Sequence, residues 1–211
     1  MTSPARQHRQ AILAEEMSKP STSPRPVAGA ELLWAQLAEH KRLLKQIQSH
    51  QQRNEKKAEL MAEWHGHIDA VLQADGGQDD RVMSQMLPWC FDVGDYTRGL
   101  AVGHYLLRHR LPPPEGFARD LPALFAELCA DAALKEPSAL DAEALQGVVD
   151  AVADADMVDE IRAKLYRALG EALQESDPSA AIDWLNRAID YNPKVGAKAT
   201  LAKLTKSTPP A

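Results

Sequence analysis

Apolar residues recur at helical spacing along most of the chain, and no strand-like alternation of apolar and polar positions interrupts them. The pattern therefore predicts an all-α fold. In residues 29–75, one apolar stripe ends at Ile47, a wholly polar stretch covers residues 49–57, and a second stripe begins at Leu60. This segment fits either one long basic helix with a polar middle section or a pair of helices.

Residues 78–107 predict two short amphipathic helices that meet at a corner. Val82, Met86 and Trp89 lie at helical spacing before Gly94, and a second apolar stripe follows it. Glycine readily adopts the backbone angles that end a helix. The segment therefore indicates a helical hairpin.

Residues 159–173 and 180–191 predict a second hairpin. Its small residues, among them Gly170 and Ala181, resemble those that let the paired helices of a tetratricopeptide repeat approach closely. We therefore predict a helical-hairpin body over residues 78–205, with tetratricopeptide-like packing in the C-terminal half.

The two ends of the chain lack this periodicity. Residues 1–28 are rich in Pro, Ser, Thr and Arg, which predicts a disordered N-terminal arm. Residues 206–211 are predicted to form a short tail.

Composition narrows the class of protein. The chain has 211 residues, and 45% of them are hydrophobic, so it can bury a core. No apolar run approaches the roughly 18 residues that a membrane helix needs, and the N-terminus lacks the apolar region of a secretory signal. Cys90 and Cys129 lie in apolar patterns without CxxC spacing. These features predict a reduced, cytoplasmic protein.

The net charge of −6 hides an uneven distribution. Residues 1–60 hold ten Lys and Arg against six Asp and Glu, a balance of +4. Residues 111–180 hold five against fifteen, a balance of −10, and residues 181–211 carry +3. A basic end can contact phosphates even in a globally acidic protein.

Three stretches together resemble a known family. They are the opening MTSPARQH at Met1–His8, the hairpin segment with its GLAVGHYLL at residues 78–107, and ADADMVDEIRAKL at residues 153–165. In their order and near their spacing, they resemble the small terminase subunits of temperate tailed phages, a family labelled terminase endonuclease subunit. The resemblance covers nearly the whole chain.

The resemblance implies a function. Such a subunit would recognise the packaging site of double-stranded viral DNA and present it to the large ATPase subunit, for cohesive-end cutting and capsid packaging. It would assemble as a ring of identical copies in the host bacterial cytoplasm, with no membrane partner. A rival reading from the C-terminal hairpin is a helical-repeat adaptor that binds protein and has no DNA role.

The basic helical segment supplies the candidate DNA contacts. Gln and Asn residues lie among its Lys and Arg residues, and both kinds of side chain can contact phosphates or base edges. From the residues alone, a solvated helix face or a charged oligomer seam is the simpler reading, whereas the resemblance favours DNA. The candidates are Arg6, Arg9, Lys41, Arg42, Lys45, Arg53, Lys56 and Lys57. The candidate oligomer contacts are Leu33, Trp34, Leu37, Leu44 and Ile47.

The endonuclease label directs attention to carboxylates, because metal-dependent nucleases gather them around Mg²⁺. The weak candidates are Asp79, Asp80, Asp92 and Asp95. Each lies beside a predicted helix start or turn, where a cap is the better interpretation. The sequence has no recognisable nuclease motif and no GxxxxGK[ST] loop for ATP. We therefore expect no directly bound cofactor, and Mg²⁺ is implied only if cutting resides in this chain.

Overall fold

A computed structural model describes residues 27–207 together with His8 and Ile12. This part of the chain is all-α, which confirms the predicted fold class. It divides at residues 118/119 into two compact units, a boundary inside the segment 78–205 that the sequence suggested as one body. Unit 1 contains α1 (Val27–Gln46), α2 (His50–Ala74), α3 (Arg81–Asp92) and α4 (Tyr96–Arg108). Unit 2 contains α5 (Leu121–Lys135), α6 (Ala142–Ala151), α7 (Asp159–Ala172), α8 (Pro178–Tyr191) and α9 (Lys198–Ser207).

The basic segment forms two helices rather than one. The Ser49 hydroxyl oxygen accepts a hydrogen bond from the Gln52 amide at 3.4 Å and caps the start of α2. The polar stretch after Ser49 therefore becomes the first turns of α2. This helix ends at Asp75, whose φ of 46° is left-handed and whose amide donates to the Val71 carbonyl.

A chain of polar contacts runs through the core of unit 1. The indole Nε1 of Trp64, which is fully buried, donates to His40 Nδ1 at 3.1 Å. The Trp64 ring also meets the His67 ring edge-on at a centroid distance of 6.2 Å. His67 Nε2 in turn lies 2.7 Å from Asp80 Oδ2. These contacts link α1, α2 and the start of α3 through side chains shielded from water.

The hairpin predicted over residues 78–107 is present as α3 and α4. Gly94 has a φ of 78°, and the Asp95 carboxylate accepts from the Arg98 amide at 3.3 Å to cap α4. At Gly99 a Cβ would lie 2.8 Å from the Phe91 ring, so glycine permits the close approach of the two helices.

Unit 2 is a stack of capped helices. Asp120, Asp141 and Asp177 each accept a backbone amide at the start of α5, α6 and α8. Helices α7 and α8 pack tightly, because a Cβ at Gly170 would lie 2.8 Å from Leu185 Cγ. The likeness of this hairpin to a tetratricopeptide repeat stays a prediction.

None of the helices in the described part of the chain combines the length and apolarity needed to cross a membrane.

Cys90 and Cys129 are both buried as free thiols. Burial raises the pKa of the Cys90 thiol to about 12 and that of Cys129 well above its usual value, so both stay protonated at neutral pH.

Candidate nucleic-acid interface

Four basic side chains of unit 1 surround one concave surface, which we call the basic cavity. Lys41 and Lys45 lie one turn apart on α1, and Arg53 and Lys57 lie one turn apart on α2. Together with Leu44 and Trp89, these side chains line a cavity of about 270 Å³. The packing of α1 and α2 therefore concentrates positive charge that the sequence distributes over 17 residues.

Arg53 holds the two helices at the junction. Its Nε and Nη2 both donate to the Ile47 carbonyl, at 3.0 and 2.6 Å. That carbonyl lies just beyond the end of α1, where backbone acceptors lack helical partners. The guanidinium is thus fixed beside the cavity by backbone contacts, with no carboxylate neutralising it among the described residues.

Lys57 is the deepest member of the basic cavity. Its ammonium group donates to the Asp92 carboxylate and lies 5.9 Å from the centroid of the Trp89 ring. The side chain is only 10% exposed. Asp92 therefore neutralises one cation of the four, whereas Lys41 and Lys45 have no ion-pair partner within residues 27–207.

The remaining two basic candidates of the described chain face elsewhere. Arg42 and Lys56 each form an ion pair with a glutamate three residues away on the same helix, with Glu39 and Glu59 respectively, both at 2.7 Å. These hydrogen bonds hold the pKa of each glutamate below its usual value. The structure therefore separates four cations that share a cavity from two that are paired on exposed surface. Arg6 and Arg9 lie outside the described residues.

Asp80 and Asp79 adjoin each other in sequence but have different surroundings. Asp80 is buried, where Oδ1 accepts from the Val82 amide at 2.8 Å and Oδ2 meets His67. Asp79 is exposed and lines a second, larger cavity. The Asp80 carboxylate is thus both a helix cap and the partner of a histidine. This agrees with the interpretation of Asp80 as a cap rather than a catalytic residue.

Asp92 and Asp95 lie at the other end of α3, where Asp92 pairs with Lys57 and Asp95 with Arg98 at 3.0 Å. A helix rises about 1.5 Å per residue, so these acids lie on the order of 18 Å from Asp79 and Asp80. The described residues contain no group of three or more His, Cys, Asp or Glu side chains placed to hold a metal ion. The four carboxylates therefore do not fit a shared Mg²⁺ centre.

Three of the five candidate oligomer contacts need correction. Leu33, Leu37 and Leu44 are buried within this single chain, because α1 turns its apolar stripe toward the core of unit 1. They leave little surface for contact with a second copy. Trp34, by contrast, is 39% exposed, and Ile47 is partly exposed.

The sequence did not single out Trp89 and Gln85 as site residues, although each lines a cavity. Trp89 lies on the apolar stripe of the predicted hairpin, a position typical of a packing residue. Its proximity to Lys57, which is 32 positions earlier in the sequence, arises only when α2 packs against α3.

Comparison with known proteins identifies the family. The family model described as "Phage small terminase subunit" matches residues 34–160. The "Terminase, endonuclease subunit" of Escherichia phage P2 is 33% identical over 216 aligned positions, which cover 100% of this chain and 87% of that protein. No solved structure matches the chain significantly. The chain therefore belongs to the phage small terminase subunit family.

Proposed function

We propose that this chain binds double-stranded viral DNA through the basic cavity and presents the DNA to the large ATPase subunit of the terminase. The observation that carries the proposal is the convergence of Lys41, Lys45, Arg53 and Lys57 on one concave surface. Proteins that neutralise phosphates release condensed counterions, which is the main source of affinity for DNA irrespective of sequence. Family membership supports this choice over a solvated helix face.

The state of each cation supports a division of roles. Lys41 and Lys45 are exposed and can exchange water for phosphate oxygens at little cost. Arg53 is held in place by the Ile47 carbonyl, so it contacts a phosphate without first losing much side-chain freedom. Lys57 shapes the floor of the cavity with Trp89 and shares its charge with Asp92.

Salt dependence of DNA binding tests the proposal directly. The double variant Lys41→Gln/Lys45→Gln removes two charges from α1. It is compared with Arg42→Gln/Lys56→Gln, which also removes two charges, one from α1 and one from α2. The logarithm of the binding constant falls with the logarithm of salt concentration by about 0.9 per phosphate contact. The first variant should therefore lower this slope by about 1.8, and the control should leave it nearly unchanged.

The result that would contradict the proposal is equally specific. If both double variants bind DNA like the unaltered protein, the basic cavity is not the DNA site. Complete absence of DNA binding by the unaltered protein at low salt would favour the protein-binding adaptor.

We further propose that unit 2 carries the surface that docks the large subunit. Tyr191, 44% exposed, lies beside Tyr166, whose ring contacts Trp184 at a centroid distance of 5.0 Å. Arg187 stacks 4.6 Å from the centroid of the Trp184 ring. Trp, Tyr and Arg are the residue types that most often dominate the binding energy of protein interfaces. We call these four residues the aromatic surface of unit 2.

We also propose that the chain functions as a ring of identical copies in the host bacterial cytoplasm. Because the three leucines of α1 serve the core of unit 1, the contacts between copies must use other surfaces. Light scattering over a range of micromolar concentrations tests this assembly, and a purely monomeric protein would exclude it.

A further inference from the structure

A second cavity of unit 1 shares only Lys41 with the basic cavity. It has a volume of about 690 Å³ and lies between α1, the start of α3 and the segment that follows α4. This volume falls within the roughly 300–1,000 Å³ of typical small-molecule sites. Trp34, Leu37 and Pro112 form much of its wall, and Asp79 and Glu115 also line it.

An amide without a protein partner lies in the wall of this cavity. The Gln85 residue is only 7% exposed, and its side chain makes no hydrogen bond to any residue that the structure describes. Its amide atoms are nevertheless open to solvent, since His67 Nδ1 is the one fully buried polar side-chain atom without a partner among the described residues. The Gln85 amide is therefore free to offer both a donor and an acceptor to a polar ligand in the cavity.

Two flat groups line the same cavity as Gln85. The Arg81 guanidinium is 5.4 Å from the centroid of the Trp34 ring. Arg81 forms no ion pair with the described part of the chain, so no carboxylate there competes with the indole for its guanidinium. Aromatic rings and arginine planes are the surfaces on which proteins stack unpaired nucleobases.

A side-chain hydrogen bond holds one wall of this cavity in place, and the cavity adjoins the basic cavity. The Ser84 hydroxyl donates to the Pro112 carbonyl at 2.7 Å and fixes the proline segment against α3. Lys41 lines both cavities, so a ligand in the larger one can extend a phosphate toward the positive charge. Asp79 and Glu115 would repel a phosphate elsewhere along the lining, which leaves the Lys41 side as the exit for an anion.

We propose that this cavity binds a purine base, with adenine preferred. The base stacks on the Trp34 indole or the Arg81 guanidinium, and the Gln85 amide forms the two-hydrogen-bond pairing that glutamine makes with adenine. Its phosphate faces Lys41. The base comes either from an unpaired position in DNA, which rests on the DNA binding proposed above, or from a free purine nucleotide.

Titration of the full-length protein tests the cavity with defined probes. The probes are dAMP, dTMP, a fully paired duplex, and the same duplex with one unpaired adenine. The variants are Gln85→Met, which keeps the size but removes the amide, and Trp34→Ala. Trp184→Ala in unit 2 is the matched tryptophan control, and thermal unfolding checks that each variant is folded.

The proposal predicts a consistent set of changes. Either dAMP binds more tightly than dTMP, or the duplex with the unpaired adenine binds more tightly than the paired one, and this difference identifies the source of the base. Gln85→Met should remove the adenine preference, and Trp34→Ala should weaken binding roughly tenfold. Trp184→Ala should change neither.

Two results would overturn the proposal. One is that no probe shows an adenine preference, or that folded Gln85→Met retains it in full. The other is that the tryptophan fluorescence lost in Trp34→Ala responds to protein concentration and to no purine, which would mean that a second copy covers the cavity.

Binding of the fully paired duplex is measured in parallel. Its loss with Lys41→Gln/Lys45→Gln but not with Gln85→Met separates the DNA proposal from this one.

Discussion

His67 and Asp80 form a buried pair in the core of unit 1, with His67 Nε2 2.7 Å from Asp80 Oδ2. His67 Nδ1 has no hydrogen-bond partner among the described residues. Neutral histidine satisfies the pair when Nε2 carries the proton and donates to the carboxylate. The contact joins α2 to the cap of α3. Asp80, a weak catalytic candidate for which the sequence favoured a cap, therefore also holds two helices together.

Replacement of Asp80 should therefore destabilise the protein. Asp80→Ala removes both the cap of α3 and the partner of a buried imidazole, and we expect a loss of about 2–4 kcal/mol in the free energy of unfolding. Urea denaturation measures this loss. Asp79→Ala, its exposed neighbour, is the control and should stay within about 0.5 kcal/mol of the unaltered protein. Equal stability of the two variants would contradict the role of the buried pair.

The stability of unit 1 should fall in mild acid. Burial, with the nearby Arg98, holds the pKa of His65 below its usual value of 6.5, and burial with Arg108 does the same for His104. The unfolded chain therefore binds more protons than the folded chain as pH falls below about 6.5, so this contribution is present above that pH and is lost below it. Thermal midpoints from about pH 5 to 8 measure the effect. His65→Gln/His104→Gln should flatten the dependence, and an unchanged profile would argue against it.

The isolated subunit should not nick DNA in the presence of Mg²⁺. Its four candidate carboxylates lie at opposite ends of α3, and three of them are engaged by Lys57, His67 and Arg98. Two-metal nucleases need their ligands around ions only about 3.5–4 Å apart. A nicking assay with this subunit alone, the large subunit alone and both together measures where cutting occurs. Mg²⁺-dependent nicking by this subunit alone, lost in Asp79→Ala, would overturn the expectation.

The aromatic surface of unit 2 should contribute to binding of the large subunit. Tyr191→Ala and Arg187→Ala remove exposed members without reaching the buried stripe of α8. If these residues are binding hot spots, each change should reduce the binding free energy by about 1–2 kcal/mol, which is a roughly 5- to 30-fold loss of affinity. Calorimetry with the purified large subunit measures the loss. The exposed Asp183→Ala on the same helix is the control, and equal affinity for all three variants would exclude this surface.

The sequence determined the features of this protein that depend on neighbours along the chain. Helical spacing predicted the all-α class, and capping residues such as Asp80 and Asp95 marked helix starts, because both signals act within about one turn. The family resemblance likewise depended on short stretches that could be read directly. Whether residues 29–75 formed one helix or two stayed open, since the polar stretch that follows Ser49 suits either.

Only the tertiary structure decided which side chains meet. Arg42 and Lys45 look equivalent in the sequence, yet one pairs with Glu39 and the other lines the basic cavity. Asp80 is buried only because α2 brings His67 against the start of α3. The larger cavity is assembled from three segments that lie up to about 80 residues apart in the chain. Helix periodicity is a local property, whereas charge pairing and cavity shape depend on packing between helices, which no single segment encodes.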